Sequence, residues 1–548
     1  MATSKSSKAI RVECSEAELR EIETPEMPRL AALRLPRSSK QRPSMVAPRV
    51  RAVGAALSAN GDVRKSLKAV RRMRPAALAL ALAGLLAGCS LAPTYKVPTV
   101  PVPAAYKEGT GLWTHAAPAD MSPRGDWWTM FRDPELDKLE QLLDANSPSL
   151  AIALARYERA SAFESEARAG LFPHLGAGGG VSDDRQSNNR PLRGSNQPNE
   201  YDDDSAQFSA GYEFDLWGRI RNEVAAGHAQ AQAAQADLAS AKLSLEAQLA
   251  DEYIQLRGYD FQAQILDSSL KAYQQGLTLT QNRMQGGIAS GLSVARAQNQ
   301  LSDAHAQIDE VAAQRALTEH AIATLIGVPA PNFTLPPSQQ KISAPTIPAS
   351  VPSTLLQRRP DIAAAERRTF AANAGIGVAR AAFFPDIGIS GMYGWQDTGE
   401  GNLFSFGNRT WALGPFVSLP LFDGGLRRAR ARQAHAEFDE SSAQYRLTVL
   451  DAFEQVEDNL ALFTRLTHEA HDEDAAASSA QAAQQIANNR YTEGIINYLD
   501  VVTAQTAYLT AERAAQQVRT RRLQASVALV RALGGGWDAT MLSGSPVK

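Results

Sequence analysis

The chain is predicted to be an α+β membrane protein in which one helix–strand–strand–long helix–helix unit occurs twice. The first indication is an internal repeat, because NRMQGGI at Asn282–Ile288 returns as NRYTEGI at Asn489–Ile495. The second is a period-two alternation of apolar and polar residues in two segments of each half. The third is a long proline-free stretch after each strand pair. A repeat of this length indicates a duplicated domain, since solenoid repeats are only about 20–50 residues long.

The charge is distributed unevenly along the 548 residues, although the net charge is only −2. Residues 1–88 contain 17 Lys and Arg against 7 Asp and Glu, which leaves the remaining chain with a net charge of −12. A basic start before an acidic body is typical of an export signal, and the acidic body argues against nucleic acid as a partner. The two cysteines, Cys14 and Cys89, are too few for a disulfide scaffold and have no metal-site spacing.

The amino-terminal region is predicted to contain an export signal. Residues 73–88 have a basic start and a short apolar run, which is too short to span a bilayer and fits a secretory signal. The end of this run, Leu86-Ala87-Gly88-Cys89, resembles a bacterial lipobox. That resemblance implies diacylglycerol and an N-acyl chain on Cys89, and we expect no other cofactor. The alternative is a buried cysteine after an apolar helix. Residues 1–72 are expected to be a misread start or a disordered leader.

The repeat and the prolines divide the rest of the chain. We expect each half to begin with a helical stretch, Asp133–Gly170 and Thr354–Ala382, with Pro148 and Pro360 at a helix break or a first turn. The predicted domains are a proline-rich tether at 89–132, the first repeat at 133–328, a surface linker at 329–353, the second repeat at 354–535 and a tail at 536–548.

Each half is predicted to contain two amphipathic strands. The expected strands lie near 172–183, 205–216, 384–396 and 410–422, with a polar loop between the first two at 184–204. The tryptophans Trp217, Trp395 and Trp411 fall near strand ends, as in the aromatic girdles of membrane barrels. The alternative is an ordinary soluble hairpin that packs on helices.

A long helix is predicted after each strand pair, and in the first half it runs from Trp217 to Met284. Leu245, Leu249, Tyr253 and Leu256 repeat with coiled-coil spacing, so a purely structural coiled coil is the simpler alternative. The chain is expected to reverse at glycines that permit a positive φ, at Gly286, Gly287 and Gly494.

Four strands per chain are too few for a membrane barrel, because bacterial barrels start at about eight strands and an open edge cannot face lipid. The strands of several copies must therefore combine. A cyclic trimer would supply twelve strands, enough for a closed barrel with a lumen.

Two segments then resemble a known family. Leu355–Ile362 reads LLQRRPDI, and Arg490–Gly494 reads RYTEG and is followed by Tyr498-Leu499-Asp500-Val501-Val502. These motifs, the lipobox and the repeat resemble the outer-membrane factors of tripartite efflux systems, the TolC/OprM class, and most of all its NodT-type lipoproteins. The resemblance implies a homotrimer with a 12-stranded β-barrel, continued by an α-helical periplasmic barrel. It also implies a periplasmic membrane-fusion adaptor, an inner-membrane efflux transporter and outer-membrane lipid as partners, and a lipid-anchored place in the bacterial outer membrane.

The same resemblance assigns the candidate site to the tips of the helical hairpins. It implies that Arg490 and Tyr491 hold the tip closed and that Asp500 narrows the pore and attracts cations. Thr503 stands where many members of the family carry a second acid. The alternatives are that Arg490 and Tyr491 pack the turn and that Asp500 is a solvated carboxylate at a helix start. Gly286, Gly287 and Gly494 are expected to shape turns that face the adaptor.

The sequence contains no recognisable catalytic constellation, so we expect no enzyme activity. The predicted function is a passive exit duct of an RND-type efflux pump for drugs or other small molecules. An exit duct for metal ions or for secreted polypeptide is the first alternative, although the nine methionines do not cluster. A structural periplasmic lipoprotein without a channel is the second.

Overall fold

The computed structural model describes residues 90–103, 105–108, 125–189, 198–345, 358–399, 401–537, 539 and 542. The predicted leader, the signal segment and Cys89 lie outside these residues. Within the described part of the chain, the predicted helix–strand–strand–long helix–helix unit is present twice.

The first helical stretch of each half begins at a proline. Helix α1 (Pro134–Asn146) ends before Ser147, and α2 (Pro148–Ala169) begins directly after it. The predicted stretch Asp133–Gly170 is therefore two helices, because Pro148 has no N–H to continue α1 but fits the first turn of α2. In the second half, α5 (Pro360–Ala381) also has its proline in the first turn.

Four antiparallel strands form one sheet in chain order: β1 (His174–Arg185), β2 (Glu200–Glu213), β3 (Asp386–Asp397) and β4 (Arg409–Ser418). The prediction of two strands per half is confirmed, but the predicted polar loop 184–204 is wrong at both ends. Asp184 pairs with Tyr201 and Arg185 with Glu200, because both strands continue into the polar segment.

β2 and β4 end a few residues earlier than predicted because the following aspartates cap long helices. The Asp215 carboxylate accepts hydrogen bonds from the backbone N–H groups of Ile220 and Arg221 at 3.2 and 2.8 Å. In the second half, the Asp423 carboxylate accepts from Gly425 at 2.9 Å in the same way. The chain has therefore left the sheet before the predicted ends at 216 and 422.

The sheet has two open edges. Within the described residues, β1 and β4 each pair on one side only. Large apolar side chains on these edge strands are exposed, among them Leu175, Val181, Trp411 and Val417. The sheet of one chain is therefore incomplete as a membrane-spanning element, since an open edge leaves backbone groups without partners in lipid.

Two helical hairpins follow the strands. They pair α3 (Arg219–Gln285) with α4 (Gly291–Leu325) and α6 (Leu426–Thr492) with α7 (Tyr498–Ala532). α3 and α6 each contain 67 residues, which corresponds to about 100 Å of helix. Leu249, Tyr253 and Leu256 are almost fully buried, which confirms that the predicted coiled-coil positions form the core.

The two halves differ in how their first long helices are flanked. α5 packs against both α3 and α6, and eleven of its residues are buried. Its repeat counterpart α2 packs against α3 but buries no residue, and it exposes Ile152, Leu154 and Phe163. One flank of α2 thus lacks the neighbour that α5 has.

Each hairpin ends at a glycine that touches another backbone segment. Gly327 and Gly534 have φ of 73° and 89°. A Cβ at Gly327 would lie 2.4 Å from the carbonyl oxygen of Asn146, and one at Gly534 would lie 2.2 Å from that of Arg358. Only glycine fits these two positions, since both the φ and the close approach exclude a side chain.

The described part of the linker after the first hairpin, residues 329–345, is mostly exposed as predicted, but it is anchored to the helices. Leu335 is buried, and the Asp260 carboxylate accepts a hydrogen bond from the Ser338 N–H at 3.0 Å. Asp260 also pairs with Arg257 at 2.9 Å and with Arg315 at 2.7 Å. This buried charge network fixes the start of the linker on α3 and α4.

The predicted tether is also held against the helices. The Tyr95 hydroxyl donates to Glu366 at 2.6 Å, and the N–H groups of Lys107 and Glu108 donate to Glu457 at 2.7 and 3.0 Å. The end of the tether is part of the core, where the 3-10 turn Trp127–Phe131 buries three aromatic side chains.

One buried carboxylate has no partner to stabilise its charge. Glu140 of α1 is inaccessible to solvent, and within the described residues neither of its carboxylate oxygens has a hydrogen-bond partner. Burial and the neighbouring Glu246 and Asp144 raise the pKa of Glu140 to about 10, against a smaller opposing effect of Lys242. Burial also raises the pKa of Glu246 to about 7, although this carboxylate accepts a hydrogen bond from Trp127. Glu140 is therefore protonated at neutral pH.

The stability of the fold is expected to decrease with rising pH because of Glu140. Its pKa is higher in the folded than in the unfolded chain, so the folded state holds the extra proton between pH 4.5 and about 10. Each pH unit in this window costs about 1.4 kcal/mol. Glu140→Gln should match the wild type at pH 5 and have a higher denaturation temperature at pH 9, as measured by circular dichroism. The exposed Glu158→Gln is the control, and parallel wild-type and Glu140→Gln curves would contradict the assignment.

Candidate functional site

The tips of the two helical hairpins have the same backbone geometry. In the first tip, the N–H of Ile288 donates to the Arg283 carbonyl at 2.7 Å, and in the second, Ile495 donates to Arg490 at 2.9 Å. Gly287 and Gly494 have φ of 73° and 81° and supply the left-handed residue that ends each helix. Gly286 has a φ of −77°, so the expected positive φ is wrong for this residue, which closes α3 in an ordinary conformation.

The return helices are capped at matching positions. The Ser290 hydroxyl accepts from the N–H of Ser293, and the Asn497 side chain accepts from the N–H groups of Leu499 and Asp500. These caps satisfy backbone donors that the first helical turn leaves unpaired.

Asp500 and Thr503 lie on one exposed side of α7, since residues three apart are neighbours on a helix surface. Asp500 is in the first turn, where a negative charge is favoured by the helix dipole. The Thr503 hydroxyl donates to the Leu499 carbonyl at 2.9 Å, so it is occupied within its own helix. Among the described residues, no hydrogen bond or ion pair joins either side chain to Arg490 or Tyr491.

Tyr491 is buried between the two tips. Its hydroxyl lies 3.2 Å from the Thr280 hydroxyl of α3, and its ring packs against Tyr498 at a centroid distance of 5.4 Å. The Arg283 guanidinium lies over the Tyr491 ring, 4.2 Å from its centroid, and donates to the Thr492 carbonyl at 2.9 Å. We call Thr280, Arg283, Tyr491 and Thr492 the tip latch, because they connect the end of α3 to the end of α6.

Arg490 is exposed, whereas its repeat counterpart Arg283 is partly buried. The structure therefore brings Tyr491 but not the Arg490 side chain into the latch. Sequence reasoning missed Arg283 and Thr280, although the Asn-Arg pair that recurs at 282–283 and 489–490 could have indicated Arg283.

The latch contains one formal charge, that of Arg283. Burial, with a smaller effect of Tyr491, raises the pKa of Tyr498 to about 12, so this phenol is neutral at physiological pH. No cluster of metal-ligating side chains was found among the described residues. In the same part of the chain, no helix is both long and apolar enough to cross a membrane.

The duplicated unit of a two-strand hairpin and a long helical hairpin defines the class of outer-membrane factors, and comparison with known proteins agrees. The family model for outer membrane efflux proteins matches residues 139–328 and 351–535. The chain belongs to the outer membrane efflux protein family, whose members are channel proteins and not enzymes.

The match extends over nearly the full length of individual relatives. The outer membrane protein OprJ of Pseudomonas aeruginosa is 32% identical over 84% of this chain and 95% of its own. The pyoverdine export outer membrane protein OpmQ of Pseudomonas putida is 33% identical over 83% of this chain and 96% of its own. The solved outer-membrane channel OprN is 30% identical, covers 82% of this chain and 100% of its own, and superposes with a TM-score of 0.76.

Proposed function

We propose that the protein is the passive outer-membrane exit duct of a tripartite efflux pump. Family membership supports this function, and the relatives include an efflux outer membrane protein and a pyoverdine exporter. In such a pump, a periplasmic adaptor and an inner-membrane transporter are the partners, and the transporter supplies the energy. An RND-type transporter and a small-molecule cargo remain our proposal. Relatives with different exported compounds have nearly the same percentage of sequence identity to this chain. Sequence identity therefore does not indicate which compound is exported.

The duct is proposed to be a homotrimer. The observation that supports this proposal is that one side of α2 has no packed neighbour within the described residues. Ile152 is 55% exposed, whereas its repeat counterpart Ala364 is fully buried between neighbouring helices. The α6 helix of an adjacent copy would cover α2 as α6 of the same chain covers α5. Such a head-to-tail contact generates a ring when the rotation closes. Three copies would supply twelve strands and close both open sheet edges.

The assembly is tested by measuring oligomeric mass and planar-bilayer conductance of the detergent-extracted protein. We expect a trimer with a small, cation-selective conductance. Ile152→Asp should abolish both, because it places a charge in the proposed contact between copies. Val97→Asp is the control, since Val97 is similarly exposed at 50% but lies outside this helix. A monomeric wild type without conductance would favour the structural lipoprotein instead.

A lipid anchor on Cys89 is proposed from the lipobox. The described chain supports this position indirectly, because the Ser90 hydroxyl donates to Asn222 near the start of α3 at 3.0 Å. Residue 90 is thus held near the end of the sheet. The mass of the amino-terminal peptide tests the proposal, and an unacylated peptide from the mature protein would refute it.

The helix tips are proposed to form the closed gate, and the tip latch keeps the two hairpins together. Asp500 would form one acidic ring in a trimer, with Thr503 as a neutral position one turn away. Gly286, Gly287 and Gly494 would shape the turns that face the adaptor. Exposed apolar residues next to these turns, Ile288 and Ile495, support a contact at this end.

Arg283→Gln is expected to increase the channel's open probability about tenfold. The substitution removes the guanidinium from the Tyr491 ring and weakens the hydrogen bond to the Thr492 carbonyl, a combined loss of about 1–3 kcal/mol. Single-channel recording in planar bilayers measures the change. Arg490→Gln is the matched control, because Arg490 is exposed and outside the latch. Equal changes of open probability in the two variants would show that the latch contacts do not hold the gate.

A further inference from the structure

A groove lies between α3, α7 and the linker, away from the helix tips. Its cavity volume is about 510 Å³, within the range of roughly 300–1,000 Å³ that small-molecule sites occupy. At the end of the groove away from the tips, α3 and α7 lie close together, since a Cβ on Gly258 would lie 2.8 Å from the Thr520 hydroxyl. We call this feature the seam groove.

The seam groove is basic near that close approach. Arg257 and Arg519 line it, but Asp260 and Asp474 already neutralise them. The other cation of α7 that lines the groove is Arg522, whose Nε is shielded from solvent and has no hydrogen-bond acceptor among the described residues. A shielded donor without an acceptor is costly, and an anion in the groove would remove that cost.

A second cation lines the groove from the linker. This cation, Lys341, is exposed, so its ammonium can reach a head group that lies at the mouth. Arg522 and Lys341 come from different segments of the chain, and both line the groove, so both are available to a bound anion. A charge-assisted hydrogen bond to such an anion is about twice as strong as a neutral one.

The groove has one apolar wall, formed mainly by α3 and the linker, whereas Gln516 and Thr520 make the α7 side polar. Phe261 and Ile265 of α3 and Leu523 of α7 line the apolar wall, and Ile342 of the linker adds to it. Farther toward the tips, Glu512 is the acidic residue of the lining. An anionic head is therefore repelled at the tip end and attracted at the basic end, which fixes the orientation of an elongated ligand.

We propose that the seam groove binds a fatty acid. Its carboxylate would accept hydrogen bonds from Arg522 and Lys341, and its hydrocarbon chain would lie along Phe261 and Ile265. All walls of the groove belong to one chain, so the inference does not depend on the proposed trimer or on transport activity.

The test is labelling with a photoactivatable fatty acid that carries a diazirine in its chain, on the full-length protein in a non-ionic maltoside detergent. We expect the label in the tryptic peptide 258–271 of α3 and in 514–519 of α7, which contains the lining residue Gln516. Laurate should compete, whereas dodecylamine, with a chain of the same length and the opposite charge, should not.

Arg522→Gln should raise the concentration for half-maximal labelling about tenfold, the effect expected from the loss of one charged hydrogen bond. Arg522→Lys should retain most of the labelling, which separates loss of charge from loss of fold. Arg521→Gln is the matched control, since the adjacent Arg521 is outside the groove and pairs with Glu469.

Three results would overturn the proposal. The first is label confined to the strand segments, which would indicate contact with detergent-like lipid around the sheet. The second is equal competition by laurate and dodecylamine, which would indicate apolar binding without recognition of the head group. The third is equal labelling of the Arg522→Gln and Arg521→Gln variants.

Discussion

Gly534→Ala is expected to prevent stable folding, with a loss of about 4 kcal/mol or more, which is at the extreme of single substitutions. A left-handed φ costs a residue with a Cβ about 1–2 kcal/mol. The Cβ would also overlap the Arg358 carbonyl at 2.2 Å, and neither backbone segment can rotate away as a side chain could. The yield of folded protein and its urea denaturation midpoint measure the effect.

Gly494→Ala provides the comparison that separates these two causes. Gly494 has a similar φ of 81°, but no atom lies within 4 Å of a Cβ built there. This variant should therefore lose only the stability that the positive φ costs, about 1–2 kcal/mol, and remain folded. If both variants lost the same stability, the close approach to Arg358 would not matter. Gly327→Ala, which would meet the Asn146 carbonyl, should resemble Gly534→Ala.

Asp260→Ala is expected to destabilise the fold by about 3–5 kcal/mol, because it leaves buried arginines without their counter-charge. The Asp260 side chain is only 2% exposed and pairs with two arginines, and Arg257 beside it is 6% exposed. The substitution also removes the acceptor for the Ser338 N–H, so the linker should detach from α3. Urea denaturation measures the loss, and limited proteolysis should then cut between 335 and 345.

The control for Asp260 is Asp237→Ala. Asp237 pairs with Arg368 on the surface, and about half of each side chain is exposed. Exposed ion pairs contribute about 0–1 kcal/mol, so this variant should be close to wild type. A loss for Asp260→Ala as small as that for Asp237→Ala would mean that water or a rearranged arginine replaces the carboxylate.

The elements of the fold could be predicted because their signals are local. The absence of proline predicted the long helices, and Pro148 and Pro360 indicated where helices begin. The ends of β2 and β4 were placed too late, since the capping by Asp215 and Asp423 involves residues beyond the alternating pattern. The positive φ was right for Gly287 and Gly494 but wrong for Gly286, because a turn of this kind needs one left-handed residue and the sequence offered two adjacent glycines.

The contacts of the candidate site could not be predicted in the same way. Tyr491 meets Thr280 and Arg283 across more than 200 positions, and such contacts depend on which faces of α3 and α6 meet. The buried state of Glu140 was equally hidden, because a glutamate followed by a glutamine reads as an exposed position of an amphipathic helix. The repeat located the two tips but could not show that Arg283 and Arg490 have different surroundings.

The composition of β1 has a consequence for the time between synthesis and assembly. Four of its twelve residues are glycine, at 176 and 178–180, and it forms one open edge of the sheet. Glycine weakens a strand by roughly 0.5–1 kcal/mol per residue relative to alanine. An exposed edge is a template for aggregation, so a strand that is hard to order alone is a poor template. A newly exported chain is thereby protected from pairing with the wrong neighbour until a matching edge is presented to it.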